Sequence, residues 1–530
     1  MRKNLLLILL SCLISPALFA EKILHRGNAA EPQSLDHQKT SGVPESNIIL
    51  DLMEGLVTTA ADGKNIPGVA SSWTISPDGL VYTFILRDNA KWSNGDSVTA
   101  NDFVYAWRRI VDPKTASTWT YIIQPLLNAD EIVKGKKEPK DLGAVAKDDH
   151  TLVVTLKAPT PYILSLFAHS CMMPVHQKTV EANPEKWMRP GFMVSNGPFT
   201  LEEWVPQSHV RIKKNPNYWD VKNVKLDGVM YYPTDDRQTE LKRFRAQELD
   251  MTFLVPTDQI AYLKTEMKND YRSSPLYATY YYTFNTTKAP FNNVKLRKAL
   301  ALAINREKLV TDVTKGDEIP AYSIVPPSSG IPYTPQEMMC EDKACKSLTQ
   351  DQRETLAKKL FQEAGYSIDK PLKVGILYNT DDNHKKVAIA ISGMWKDVLG
   401  VETELTNKEW KVFLAARQKR DYEVYRQIWK ATYNDPSTFL SLFKSDSGTN
   451  NNTPGFNSPD YDKLIEVAEI STDSTKRMEI LMEAEKVLLD AQPFAPIYYF
   501  VKNRLVSANV SGVEENPMAY NLSRWINIKE

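Results

Sequence analysis

The sequence predicts an α/β protein built from several lobes. Its 530 residues exceed the ~250–300 at which a single hydrophobic core stops growing. Stretches of period-two apolar alternation and stretches of helical periodicity follow one another along the chain, and no fixed repeat links them. In order, the run from Val81 to Leu86 is β-branched and aromatic and reads as a strand. Thr99 to Val111 has helical spacing, with Thr99 or Asn101 able to cap it. Leu152 to Leu156 and Tyr280 to Phe284 read as strands, and Val294 to Ala303 as a helix. A helix from Asp351 to Ala364 is stopped by Gly365, and one from His384 to Leu399 by Gly400, because glycine enters the left-handed conformation that ends helices. Between them Lys373 to Tyr378 reads as a strand, and Ser474 to Leu489 closes the series as a helix. The Pro, Ser and Gly-rich connectors at 325–333 and 445–454 are too short to act as flexible tethers, so one compact body is expected.

At 42% apolar and 25% charged residues the composition excludes disordered and collagen-like chains. Lysine plus arginine equals aspartate plus glutamate at 65 each, so there is no basic field of the kind that drives nucleic-acid binding. Arg2 and Lys3, an apolar run from Leu5, and Phe19-Ala20 form an expected cleavable export signal over residues 1–20. Ser11, Cys12, Ser15 and Pro16 interrupt the run before it reaches the roughly 20 apolar residues of a membrane span. Leu9-Leu10-Ser11-Cys12 also resembles a lipobox, which makes lipid anchoring at Cys12 the lesser alternative. Cleavage leaves 63 basic against 65 acidic residues, a near-neutral mature chain. In an oxidising compartment Cys340 and Cys345 are close enough in sequence for a local disulfide. Cys171, beside Met172 and Met173, reads as a buried apolar residue. No metal site and no cofactor are expected.

No nucleophile elbow, zinc-binding His-Glu-x-x-His, phosphate loop or dinucleotide fingerprint occurs. The acid pairs Asp148-Asp149, Asp235-Asp236 and Asp381-Asp382 sit in polar, turn-like stretches and read as solvated loop carboxylates. An exported two-carboxylate hydrolase remains a remote alternative, because its acids need not be close in sequence. The informative stretch is aromatic and cationic: Trp395, Trp410 and Trp429 with Tyr422, Tyr425 and Tyr433, interleaved with Arg417, Arg420 and Arg426. Such a set suits either a packed core with surface arginines or a wall that holds an organic anion without chemistry.

The segment from Ile75 through Trp92 to Val104 resembles the signature of the oligopeptide-type solute-binding proteins of bacterial ATP-driven importers. Glu54-Gly-Leu-Val, Asn196-Gly-Pro-Phe, Asn215-Pro-Asn-Tyr-Trp219, the stretch from Pro290 to Leu300, Leu377-Tyr-Asn-Thr and Tyr433-Asn-Asp-Pro-Ser match in the same order. The resemblance implies a type II periplasmic binding protein fold, with two hinged lobes plus an extra third domain. Lobe I would comprise 21–53, 180–277 and 500–530, lobe II 54–179, and lobe III 278–499. It implies a periplasmic monomer that captures an oligopeptide between lobes. The protein would deliver it to an inner-membrane ABC permease with cytoplasmic ATPases, and would not be an enzyme. Trp410 and Trp429 match pocket-lining tryptophans, Val43 lies in the matching 42–47 segment, and Trp119 stands where relatives use a tyrosine. Arg417, Arg426 and His384 match cations near the ligand's carboxylate, with His384 expected to be charge-sensitive near neutral pH. Ser41, Tyr281, Thr432 and Tyr433 complete the expected ligand-binding set.

Two acids of the relatives are absent. Thr432 replaces the aspartate that pairs with a peptide's ammonium, and Ser41 replaces an acid just before Gly42. A disulfide of some relatives would fall on Ala278 and Lys430. Either the solute is still a peptide, its amino end solvated by Thr432, backbone carbonyls or Asp435, or it lacks an ammonium. In the second case it is an N-blocked cell-wall peptide or an amphipathic carboxylate such as a bile acid. The run from Trp429 to Ser437 resembles a deoxycholate-binding paralogue group, which favours the second.

Overall fold

The computed structural model describes residues 21–529 apart from Ser41, 328–330, Glu409, Asn450 and Pro517. The expected signal with Cys12, and the expected site residue Ser41, therefore lie outside the described residues.

Three sheets organise the chain, each within one of the expected lobes or extending from it. In the first, Ile23–Gly27 pairs in parallel with Gly228–Tyr232, and His209–Lys214 and Phe199–Val205 add antiparallel. The second, within 54–179, is an antiparallel sheet of Ala70–Ile75, Val81–Leu86, Thr151–Thr155 and Ala144–Asp148. The third runs in the order Ile319–Pro320, Phe494–Leu505, Tyr271–Phe284, Val424–Lys430, Lys373–Asn379, Glu402–Lys408. Its parallel edge is built by crossover helices, Asp382–Leu399 linking Lys373–Asn379 to Glu402–Lys408, and Trp410–Lys419 leading on to Val424–Lys430.

The helices follow their end signals. Ala100–Val111 starts on Thr99, whose side chain and that of Asp102 form a reciprocal capping box. Gly365 and Gly400, at φ of 90° and 70°, stop Gln350–Glu363 and Asp382–Leu399. Two of the three acid pairs serve such ends: Asp236 and Asp381 accept the first free N–H groups of their helices.

One apolar core runs without a break from the first sheet into the second, joining Leu24, Leu52 and Tyr231 to Phe84, Trp107 and Phe167. A separate core fills the third sheet and its helices. The matched motifs explain the first junction. Asn196 receives the N–H of Glu54 on its side-chain oxygen and donates back to the Glu54 carbonyl. Tyr218 and Trp219 donate to the Glu54 carboxylate at 2.5 and 2.6 Å, and Arg524 pairs with it at 2.5 Å. A Cβ on Gly197 would stand 2.6 Å from the Leu52 carbonyl carbon, so only glycine permits this approach.

The two longest strands, Tyr271–Phe284 and Phe494–Leu505, pair with each other and run through the expected boundaries between lobes I and III. Their register shifts between Pro275 and Thr279 and again at Tyr280 and Tyr281, at the boundary itself. Cys340 and Cys345 are joined by a disulfide, their Cα atoms 4.9 Å apart. Cys171 is buried, with the His169 ring nitrogen Nδ1 at 3.1 Å from its sulfur.

Candidate functional site: a cavity where the lobes meet

The segments expected for all three lobes contribute to one cavity of about 320 Å³, a volume within the range of small-molecule sites. The helix Val43–Leu52 supplies Val43, Ser46 and Asn47 to its wall. Trp119, Tyr121 and His169 come from the second segment, and Lys430, Ala431 and Thr432 from the end of a strand in the third sheet. Phe253, Leu276, Lys502 and Tyr520 close it.

Local bonding fixes the walls. Trp119 is held by its indole N–H, which donates to the Thr40 carbonyl at 2.8 Å, and its ring lies 4.5 Å from that of His169. The Thr432 N–H donates to Thr438 Oγ1 at 3.2 Å. Tyr121 lines the cavity with its hydroxyl neutral at pH 7, as any tyrosine's is. Of the expected site residues, Val43, Trp119 and Thr432 line this cavity. Tyr121, His169, Phe253, Tyr520 and Lys502 line it as well, and no local sequence pattern marks them because only the fold assembles them.

Lys502 changes the electrostatics. Among the described residues, two lysines and no carboxylate line the cavity. Burial lowers the affinity of both ammonium groups for their protons. Lys430 lies 5.8 Å from the centre of the Tyr520 ring and Lys502 4.9 Å from that of Phe253.

The remaining expected site residues stand elsewhere. Arg426 is 4% exposed and sits over the Phe413 ring at 5.1 Å, and Arg417 is half-buried near Tyr281, Tyr422 and Tyr425. Neither lines the cavity. Trp429 is half-buried, and its indole N–H finds no acceptor among the described residues. Trp410 begins a helix, and its side chain lies outside the described residues. Tyr281 faces the core, 1% exposed, with its ring against Phe494 at 5.6 Å. Tyr433 stacks on Tyr162 at 4.8 Å, bringing the second and third segments into contact.

Two expectations are corrected. Burial and the neighbouring Arg426 hold His384 at about 4, with Asp381 opposing, so in this state it is neutral at pH 7 and not poised near neutrality. The desolvation that does this is invisible in sequence. Asp435 is also unavailable to a ligand's amino group. It grips Arg477 with both oxygens at 2.7 and 2.8 Å and accepts from the N–H and hydroxyl of Ser437.

Residues 64–451 match the family model described as bacterial extracellular solute-binding proteins, family 5 Middle. The chain belongs to this family. Among its relatives, the periplasmic oligopeptide-binding protein OppA of Salmonella typhimurium is 43% identical over 93% of this chain and 90% of its own length. The probable deoxycholate-binding periplasmic protein YgiS of Escherichia coli is 37% identical over 96% of this chain and 94% of its own. The crystal structure of Haemophilus influenzae OppA in complex with RPPGFSPFR superposes with a TM-score of 0.81 at 39% identity, covering 96% of this chain and 99% of that one. The fold is accordingly that of the periplasmic binding proteins with an extra domain. Among the described residues no helix is long and apolar enough to cross a membrane, and no cluster of three or more His, Cys, Asp or Glu side chains could hold a metal.

This family 5 fold also carries a measurable pH response. His37 is buried and held at about 4, mainly by burial. Below about 6.5 the unfolded chain takes up a proton that the folded chain refuses until about 4, so stability is lost as pH falls through that window. From pH 7.5 to 5 this one group should cost about 2 kcal/mol. Glu240, raised to about 7 by burial, acts in the opposite sense over part of the window. The test is therefore the difference between parent and His37→Gln urea curves at the two pH values: the variant should lose less stability than the parent, and equal losses would contradict the assignment.

Proposed function

We propose that this protein is exported to the periplasm, captures a solute in the cavity between its lobes, and delivers it unaltered to an inner-membrane permease driven by cytoplasmic ATPases. It acts as a monomer, with segments 21–53, 180–277 and 500–530 as lobe I, 54–179 as lobe II and 278–499 as lobe III. The observation that carries the reading is the cavity itself, because a ligand can favour closure only by touching both moving lobes. Its walls draw on all three segments.

An oligopeptide is the solute class that most of the family suggests. A peptide long enough to leave the cavity would set its carboxylate toward Arg417 and Arg426, whose planar guanidinium forks suit it. Arg417→Ala and Arg426→Ala should then each weaken binding of a free-acid tetrapeptide at least tenfold by calorimetry, since a charge-assisted hydrogen bond is worth about 1.5–3 kcal/mol. Binding of the C-terminal amide should change little. Equal affinity of parent and variants for the acid would remove these arginines from the site.

A second reading rests on the absence of any carboxylate among the described residues of the cavity wall. A peptide ammonium buried there meets two lysines and no counter-charge, at a cost of several kcal/mol. A solute without an ammonium, either N-blocked or an amphipathic carboxylate, avoids that cost.

A further inference from the structure

The two lysines reach the cavity from opposite sides of one strand. Lys430 ends Val424–Lys430 and stands directly across from Ala278, while Lys502 of Phe494–Leu505 stands across from Ser274. Residues directly opposite in an antiparallel ladder project from the same face, and the register shift between Pro275 and Thr279 separates the two lysines' partners, Ser274 and Ala278. Leu276, between the two lysines, lines the same cavity. Long-range strand pairing thus brings both lysines to the cavity, at the segment where the longest strands pass between lobes.

The charges around this point are unbalanced. Neither ammonium makes a hydrogen bond or ion pair with a described residue, and the two lie over the Tyr520 and Phe253 rings. Burial and then the charges of Arg504, Arg26 and Lys430 disfavour the Lys502 ammonium, and Glu240 acts in the favourable sense. Glu240 is itself engaged by the N–H groups of Phe253 and Leu254, and burial favours its protonated form. Two like charges converging on an apolar chamber cost free energy unless a charge of opposite sign enters it.

We propose that Lys430 and Lys502 form an anion-binding end of the cavity at the hinge strands, which receives the carboxylate of an amphipathic solute while Trp119, Tyr121 and Tyr520 hold its apolar body. This rests on the reading of the cavity as the solute site. It assigns a ligand polarity opposite to that of a peptide whose carboxylate points toward Arg417 and Arg426.

The test uses the full mature chain, with deoxycholate as the carboxylate probe and its methyl ester as the neutral one, read by calorimetry. Deoxycholate should bind at least tenfold more tightly than the ester. Lys430→Met and Lys502→Met should each lose at least tenfold for the acid while keeping affinity for the ester, which also shows that the variants are folded. Equal binding of acid and ester by the parent, or undiminished acid binding by both variants, overturns the anion site. The cavity reading then survives if Trp119→Ala weakens ester binding. Absence of deoxycholate binding to the parent also overturns the anion site, and trialanine then decides the cavity reading alone. Binding of trialanine that Trp119→Ala leaves unchanged would overturn that reading too.

Discussion

Arg477→Met is expected to lower the stability of the folded chain by about 3–5 kcal/mol, the usual consequence of removing one partner from a buried ion pair. Arg477 is buried and meets both oxygens of Asp435 at 2.7 and 2.8 Å. Its Nε donates to the Ala468 carbonyl at 3.2 Å, and its guanidinium lies 5.4 Å from the centre of the Tyr162 ring. Without it, Asp435 is left as an uncompensated buried charge in the same loop as Thr432 and Tyr433. The Tyr162 to Tyr433 stack, through which the second and third segments touch, also loses a charged neighbour. The urea midpoint should fall markedly. The double variant Arg477→Met with Asp435→Asn should recover part of the loss, because no unpaired charge remains. A single variant as stable as the parent would show that the pair contributes nothing.

Thr432→Asp should tighten binding of trialanine, with its free amino terminus, by at least tenfold, equivalent to about 1.4 kcal/mol. The same change should leave N-acetyl-trialanine no better bound and weaken deoxycholate. Thr432 stands in the cavity wall two residues after Lys430. An aspartate there restores the counter-charge that an ammonium needs, and the two lysines lower the cost of burying it. It also neutralises the end of the cavity that would otherwise attract an anion. If trialanine affinity does not change, the missing acid is not what separates this chain from peptide binders with an aspartate at that position.

Much of the architecture could be read from local pattern, because the elements obey local rules. Val81–Leu86 has the predicted bounds, Thr99 caps its helix, and Gly365 and Gly400 end theirs. The strand read from Tyr280 to Phe284 begins much earlier, at Tyr271. Pro275, Leu276 and a half-buried start break the alternation on which a strand reading depends. The motifs that identify the family turn out to be architectural rather than ligand-binding in several cases. Glu54, Asn196, Tyr218 and Trp219 knot one lobe junction, and Asp435 anchors a loop. Lys502 could not be found this way. In sequence it is one lysine between Val501 and Asn503, and only long-range pairing to Ser274 carries it into the cavity wall. The charge of His384 is hidden from sequence for a related reason, since a histidine's charge depends on what buries it.

The central claim is that this protein encloses an intact solute between its lobes. It is tested most directly by crystallising the protein purified from its native export compartment and identifying the retained solute by mass spectrometry. The account predicts density for that unmodified solute against Trp119, Tyr520 and Lys430, with lobes I and III closed on it. A solute bound outside this cavity, or one recovered as a cleaved product, would contradict the account.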